Sequence, residues 1–214
     1  SFLAHPDEMD LKLVHETDIS WVDWSVEGFD GLEIWNHMSE FKTRSRSLGK
    51  LLENVFSPKY YAVGPLKATL ERWDAMLAAG RHVFALGGSD SHMLKYKIGP
   101  FIKWIYPYEF HFSSINNHLI LPEPLSGDLE HDKRMIYAAL RNGSSFVGYD
   151  LPAATRGFTF SASTEKETIG MGETLNIQGG GTLQARLPQP ADLRLIKDGK
   201  VIYQSSGMER LSYP

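Results

Sequence analysis

Short apolar runs that stop at glycine, proline or a polar side chain recur along this chain, with amphipathic stretches between them. Phe2-Leu3-Ala4 is closed by His5-Pro6, where the missing proline amide ends a strand and leaves His5 at its C-terminal edge. Gly31-Leu32-Glu33-Ile34-Trp35-Asn36 alternates, placing Leu32 and Ile34 on one side and Glu33 and Trp35 on the other. Val83 to Leu86 is a third run, apolar throughout and followed by Gly87-Gly88, as expected of a buried strand. Leu66, Leu70, Trp73 and Leu77 fall on one helical face ahead of it, with Gly80 as the C-terminal stop. Residues 11 to 29 read as a helix or loop packed outside a sheet, and His15 within them as structural. Strand, helix, strand, helix, strand predicts parallel pairing with right-handed crossovers, an α/β arrangement.

Further along, residues 98 to 106 predict a strand or strand-like return. Leu129, Ile136, Ala139 and Leu140 predict a helix closed by Asn142-Gly143, and residues 144 to 149 resume extended structure. The pattern changes near residue 150. Phe158, Phe160 and Ala162, then Leu183, Ala185 and Leu187, alternate with polar residues, and Asp198-Gly199 between two apolar stretches is a type I′ hairpin signal. About four strands are countable, fewer than the roughly seven of an immunoglobulin-like sandwich. The expected division is a region over 1–150 and an all-β module over 155–214, tethered by Leu151-Pro152-Ala153-Ala154.

The chemistry-bearing positions cluster at the strand ends. Asp90 and His92, two residues apart behind a buried strand, would face one cavity if the segment stays extended, and the glycines before them let the backbone approach a ligand. An oxygen and a nitrogen donor there suit a divalent metal; the alternative is a turn in which Asp90 caps a helix and His92 faces solvent. His5 is equally readable as a ligand or a solvent-facing cap. Glu33 and Asn36 either line a site or, for Glu33, pair with a basic neighbour. The basic run Lys42, Arg44, Arg46, Lys50, Lys59 is a solvated face or a reach toward an anionic group.

Composition narrows the options. The 214 residues are 42% hydrophobic and 22% charged with a formal charge of -4, an ordinary globular balance without the basic footprint of nucleic-acid or anionic-membrane binding. Cysteine is absent, which removes disulfides and thiolate ligands and leaves His and carboxylates as the strong metal donors. No window has the apolar length of a membrane span and no signal peptide is visible, so the chain reads as soluble with its compartment open.

Ala4-His5-Pro6, Gly31-Leu32-Glu33-Ile34-Trp35-Asn36 and Gly87-Gly88-Ser89-Asp90-Ser91-His92, in that order, resemble the polymerase-and-histidinol-phosphatase (PHP) superfamily of metallohydrolases. The resemblance covers roughly the first 150 residues, and the terminal module is similar to the one that follows the catalytic domain in an esterase-like branch of the family. It implies part of a distorted seven-stranded β/α barrel, followed by a small immunoglobulin-like module. It also implies up to three divalent ions (Mn, Zn or Fe) at the C-terminal face, His5, Asp90 and His92 as metal ligands to different ions, and Glu33 and Asn36 lining the site. The family's opening H-x-H motif, a further His and a bridging acid have no counterpart in this sequence. The chain is therefore expected to be the second half of a catalytic domain plus a partial β-module. It begins without Met, on what looks like the inside of a strand.

The function expected from the resemblance is metal-dependent hydrolysis of a small-molecule phosphoester or related ester through a metal-activated water. The isolated chain is expected to be incomplete and weak, and to pair with the missing half or another chain. The alternative is a non-catalytic binding or structural module keeping a barrel remnant and a β-sandwich. An amidohydrolase-like barrel shares the D-x-H chemistry but would also want an H-x-H.

Overall fold

The computed structural model describes residues 1–214, apart from the side chains of Tyr96 and Ile98. The chain is mixed α/β, and among the described residues its strands form open sheets that do not close into a barrel. It divides into two compact units. The first comprises residues 1–117 and 147–153, the second residues 118–146 and 154–214. The crossing at 153/154 lies in the expected tether, but residues 118–146, read from the sequence as part of a 1–150 region, group with the C-terminal strands.

In the first unit, β1 (Phe2–Leu3), β2 (Gly31–Asn36) and β3 (Phe84–Gly88) form a parallel sheet in the order β1-β2-β3, as the strand–helix–strand pattern requires. The pairing Phe2↔Gly31 and Leu3↔Leu32 leaves β1 at an edge. The β2–β3 register shifts between Glu33 and Trp35, a bulge, yet the expected alternation survives. Leu32 and Ile34 pack with Leu3, Phe29, Met76 and Val83, whereas Trp35 packs with Leu11, Met38, Phe41, Tyr61 and Tyr106. A parallel sheet buried on both faces is the ordinary α/β arrangement. The outer edge of β3 is closed by a side chain: Gly87 N donates to Asn117 Oδ1 at 2.8 Å and Asn117 Nδ2 donates to the Gly87 carbonyl at 2.7 Å. One amide thus satisfies the donor and acceptor that a neighbouring strand would take.

The helices of this unit are α1 (His37–Arg44), α2 (Leu48–Phe56), α3 (Lys67–Ala78) and α4 (Tyr108–Phe112). Asn36 and Ser47 cap α1 and α2, their side chains accepting from Ser39 N and Lys50 N. The α3 face differs from the expected one: Leu66 is the N-cap, Leu77 is exposed, and Thr69, Trp73 and Met76 turn inward. Trp73 decides the rotation, because its indole N–H donates to the Val83 carbonyl at 2.7 Å. Gly80, at φ +78, ends the helix as expected. Residues 98 to 106 are not one strand. A hairpin of β4 (Leu94–Ile98) and β5 (Phe101–Ile105) turns at Gly99-Pro100. A proline and a φ of +59 at Gly99 interrupt what reads as a continuous apolar run.

In the second unit, α5 (Leu129–Asn142) is capped by Asp128, buries Met135 and Ala139, and ends on Gly143 at φ +67. The β6 strand (Ile115–Leu119) pairs with β7 (Ser145–Tyr149) in a two-stranded sheet, of which residues 115–117 and 147–149 belong to the first unit. The C-terminal residues form one four-stranded antiparallel sheet in the order β11-β10-β8-β9, from β8 (Thr159–Ser163), β9 (Thr168–Ile169), β10 (Thr182–Lys197) and β11 (Lys200–Tyr213). Asp198 and Gly199 both have positive φ (51° and 70°), the type I′ geometry their sequence demands. Ala185, Leu193, Leu195 and Leu211 form this sheet's core, with Phe158 and Phe160 against it.

Close packing at β2 gives a direct test. A Cβ on Gly31 would stand 2.6 Å from the Phe84 carbonyl oxygen, which is fixed in the sheet, and against the Phe2 ring. Gly31→Ala is therefore expected to destabilise the fold by about 1–3 kcal/mol, read as a fall in thermal midpoint by circular dichroism. An unchanged midpoint would count against this packing of Gly31 between Phe2 of β1 and Phe84 of β3.

Candidate functional site

Parallel pairing brings the C-terminal ends of β1, β2 and β3 together, and the three sequence motifs lie there. His5 follows β1, Asn36 ends β2 with Glu33 three residues before it, and Asp90 and His92 follow β3. The His5 backbone N–H donates to Glu33 Oε2 at 2.5 Å, and Asn36 Nδ2 donates to the same oxygen at 3.1 Å. Asn36 Oδ1 meanwhile accepts from Ser39 N at 2.8 Å. Glu33 is thus held by amides, not by the basic neighbour that one reading of the sequence supplied. Burial pushes its carboxyl above the usual range and the Asp90 charge pushes the same way, while the His5 and Asn36 hydrogen bonds oppose them. Gly88 makes room for it, since a Cβ there would overlap Glu33 Oε1.

The segment after Gly88 is not extended, so the side-to-side argument from strand geometry fails beyond that residue. Asp90 sits at φ +46, and the turn, not a pleat, brings His92 Nδ1 to 3.2 Å from Asp90 Oδ1 and 2.8 Å from the Asp90 carbonyl. His5 is likewise left-handed, at φ +32. Non-glycine residues in that region carry backbone strain, and such strain concentrates at functional sites. His5 Nδ1 is buried without a hydrogen-bond partner and stands 4.0 Å from Glu8 Oε2.

His5, Asp90 and His92 line one pocket of about 450 Å³. Glu33 and Asn36 do not line it and act from behind. Two residues that nothing in the sequence singles out, Glu8 and His111, and the first member of the basic run, Lys42, complete the surroundings. Glu8, 3% exposed, accepts from Lys42 Nζ at 2.5 Å and from the Ser39 hydroxyl at 2.8 Å. Lys42 also pairs with Glu16 at 3.3 Å, and these acids raise its pKa against the opposing effect of burial. The first cation of the basic run is therefore buried and compensated, not solvated. The third is His111 of α4, wholly buried. The backbones of His92 and Ser89 lie close enough to favour its charged form. Neither ring nitrogen meets a partner at hydrogen-bonding geometry, however. Burial is the largest influence on it and lowers its pKa. The sequence offered no signal for it, since Tyr108-Glu-Phe-His-Phe112 reads as an aromatic helix.

The donor set tests the metal expectation. Carboxylate and imidazole donors, with an unsatisfied buried nitrogen on His5, fit one side of a divalent centre. Among the described residues, however, no group of three or more His, Cys, Asp or Glu side chains converges closely enough to hold an ion. The residues fit part of a shell and not a closed one.

Comparison with protein-family models, with curated proteins and with solved structures returns no match to this chain. Among the described residues no helix is long and apolar enough to cross a membrane.

Behind the site, His37 is fully buried among Tyr61, Tyr106, Phe110, His111 and Tyr149, with the Tyr61 hydroxyl 2.9 Å from its ring nitrogens. Burial, aided by His111, pushes its pKa down from 6.5 to about 3. The unfolded chain protonates this imidazole below its ordinary value while the folded chain does not, so stability falls as pH drops from 6.5 toward 3. The loss is at most about 1.4 kcal/mol per pH unit. His37→Phe, which keeps a ring in place, is expected to flatten the acid limb of a plot of thermal midpoint against pH. Parallel limbs for the two proteins would remove His37 from the account.

Proposed function

We propose that this chain contributes part of the active site of a metal-dependent hydrolase of the PHP type, acting on an ester or phosphoester. The observation that carries the reading is the convergence of His5, Asp90 and His92, from two separate strand ends, on a single pocket. The order of the three motifs, their place at the C-terminal ends of parallel strands, and the strained backbone at His5 and Asp90 support it. On this reading β1, β2 and β3 belong to a β/α barrel, and the four-stranded C-terminal sheet belongs to an immunoglobulin-like sandwich.

Divalent ions (Mn, Zn or Fe) would lower the pKa of a bound water and neutralise charge on the leaving oxygen. The chain's own residues hold and orient. His5 and His92 would ligate as neutral imidazoles and Asp90 as a carboxylate. Glu33 fixes the His5 backbone by accepting its N–H. Asn36 anchors Glu33 to the start of α1. Because no described trio closes around an ion, the remaining ligands come from outside these residues, in cis or from another chain. The same observation favours the second reading, a non-catalytic module that keeps the strand-end remnant and binds through its β-sheet unit.

Titration with Mn²⁺ or Zn²⁺ by calorimetry, alongside phosphoester and aryl ester hydrolysis, separates these readings. The hydrolase reading expects weak binding, lost in Asp90→Ala, and little turnover by the 214-residue chain alone. No metal binding at millimolar concentration in wild type would favour the module. Robust turnover by the chain alone, abolished in Asp90→Ala, would show that its ligand set is complete.

A further inference from the structure

Charge is distributed unevenly along the pocket that His5, Asp90 and His92 line. At the strand ends Lys42 is shared between Glu8 and Glu16, and Asp90 is the carboxylate that the hydrolytic reading gives to a divalent ion. Each charged group at this end therefore has an opposite charge to meet. The middle is apolar, walled by Leu51 and Val55 of α2 and by Leu94 and Ile105, which face each other across the β4–β5 hairpin. Beyond them stands Lys103. A cavity of about 450 Å³ with such walls suits a small organic ligand, held by apolar contact and oriented by a few polar groups.

Hairpin geometry sets Lys103 apart from the metal-ligating side chains. It lies on the same hairpin face as the Leu94–Ile105 pair and about 7 Å further along β5, whereas His92 precedes Leu94 at the opposite end. Its ammonium stands 5.6 Å from the centroid of the Phe56 ring, which holds the side chain over the last turn of α2. Among the described residues no carboxylate pairs with it. Residues 91–108 carry Lys95, Lys97 and Lys103 but no Asp or Glu, and the one acid of α2, Glu53, is held by Lys50 at 2.6 Å. Lys95 and Lys97 alternate onto the other face, so Lys103 is the cation that the hairpin brings to the pocket. Closing the apolar walls around a ligand strips water from this ammonium, a cost that an anion on the ligand offsets and a neutral group does not.

We propose that Lys103 is a specificity-determining residue and that the pocket takes an amphiphilic organic monoanion. The apolar body of the ligand lies between α2 and the hairpin, and its anionic group pairs with Lys103. The bond to be cleaved lies at the far end, beside His5, Asp90 and His92. The anion is thus a recognition group remote from the reaction, not the group attacked. The inference rests on the hydrolytic reading and adds to it what the substrate carries besides its scissile bond.

Binding to the metal-free chain tests this without turnover. 6-Phenylhexanoate and its neutral amide, 6-phenylhexanamide, are each titrated into the chain and followed by ligand-observed NMR. Wild type is expected to bind the carboxylate about three- to fivefold more tightly than the amide, and less so as salt is raised. Lys103→Gln should abolish that preference and Lys103→Glu reverse it. Lys97→Gln, which removes the same charge from the opposite face of the hairpin, should keep it. Both lysines are exposed, so these variants leave the core intact. Equal binding of the two compounds by wild type, binding of neither, a preference that survives Lys103→Gln, or one that Lys97→Gln also abolishes overturns the proposal. Titration with Mn²⁺ separates the two layers. Metal binding that is lost in Asp90→Ala, with no carboxylate preference, overturns the role of Lys103 alone; the preference without any metal binding overturns the hydrolase reading alone.

Discussion

Parallel pairing of three short strands is the constraint on which the site depends. In a parallel sheet every strand runs the same way, so the residues that follow each strand must emerge at one edge. His5, Glu33 and Asp90 are separated by long stretches of chain, and no local rule would bring them together. The registers Leu3↔Leu32 and Asn36↔Gly88 do so. The crossovers hold because Leu32 is buried on one face and Trp35 packs on the other. Slipping β2 by one residue would send Glu33 into the Met76–Val83 cluster and break its bond to His5.

Glu33 is the hinge between fold and site. It sits within the central strand, where a carboxylate loses solvation, and answers that cost with two amide donors instead of a cation. Each donor also has a second role. The His5 amide belongs to the residue whose ring lines the pocket, and Asn36 caps α1 with its other end. The helix so fixed carries Ser39, Lys42 and Phe41, which in turn hold Glu8 and the pocket wall. A single carboxylate therefore ties the backbone of one strand end to the helix that shapes the apolar half of the cavity.

What the sequence made legible follows from the range over which each signal acts. Strand ends at His5-Pro6 and Gly87-Gly88, the stop at Gly80 and the Asp198-Gly199 turn are written in a few neighbouring residues, and each stands where its local chemistry puts it. Parallel order was legible too, because connections of that length and pattern leave few other topologies. The inward face of α3 was not, since it is set by an indole bonding to a carbonyl ten residues away, a tertiary event that apolar spacing does not encode. His111 and Glu8 were invisible for a similar reason: each matters only through contacts with a segment distant in sequence. Lys42 was misleading, because a basic run looks alike whether its first member is solvated or buried between two acids.

The left-handed backbone at His5 and Asp90 is the part of the site hardest to explain by stability alone. Two non-glycine residues accept an unfavourable φ, after β1 and after β3 on either side of β2, where glycine would relieve the strain. At Asp90 the outcome is a carboxylate turned back toward the His92 ring, with a fully buried and unpartnered His111 behind the same turn. At His5 it is a ring nitrogen buried short of any hydrogen bond. Folding does not accumulate such unsatisfied groups without compensation, since each costs on the order of 1–3 kcal/mol. Of these two unmatched rings only that of His5 lines the pocket, beside Asp90 and His92, and that is the ground for tying the strain there to the function proposed for the site.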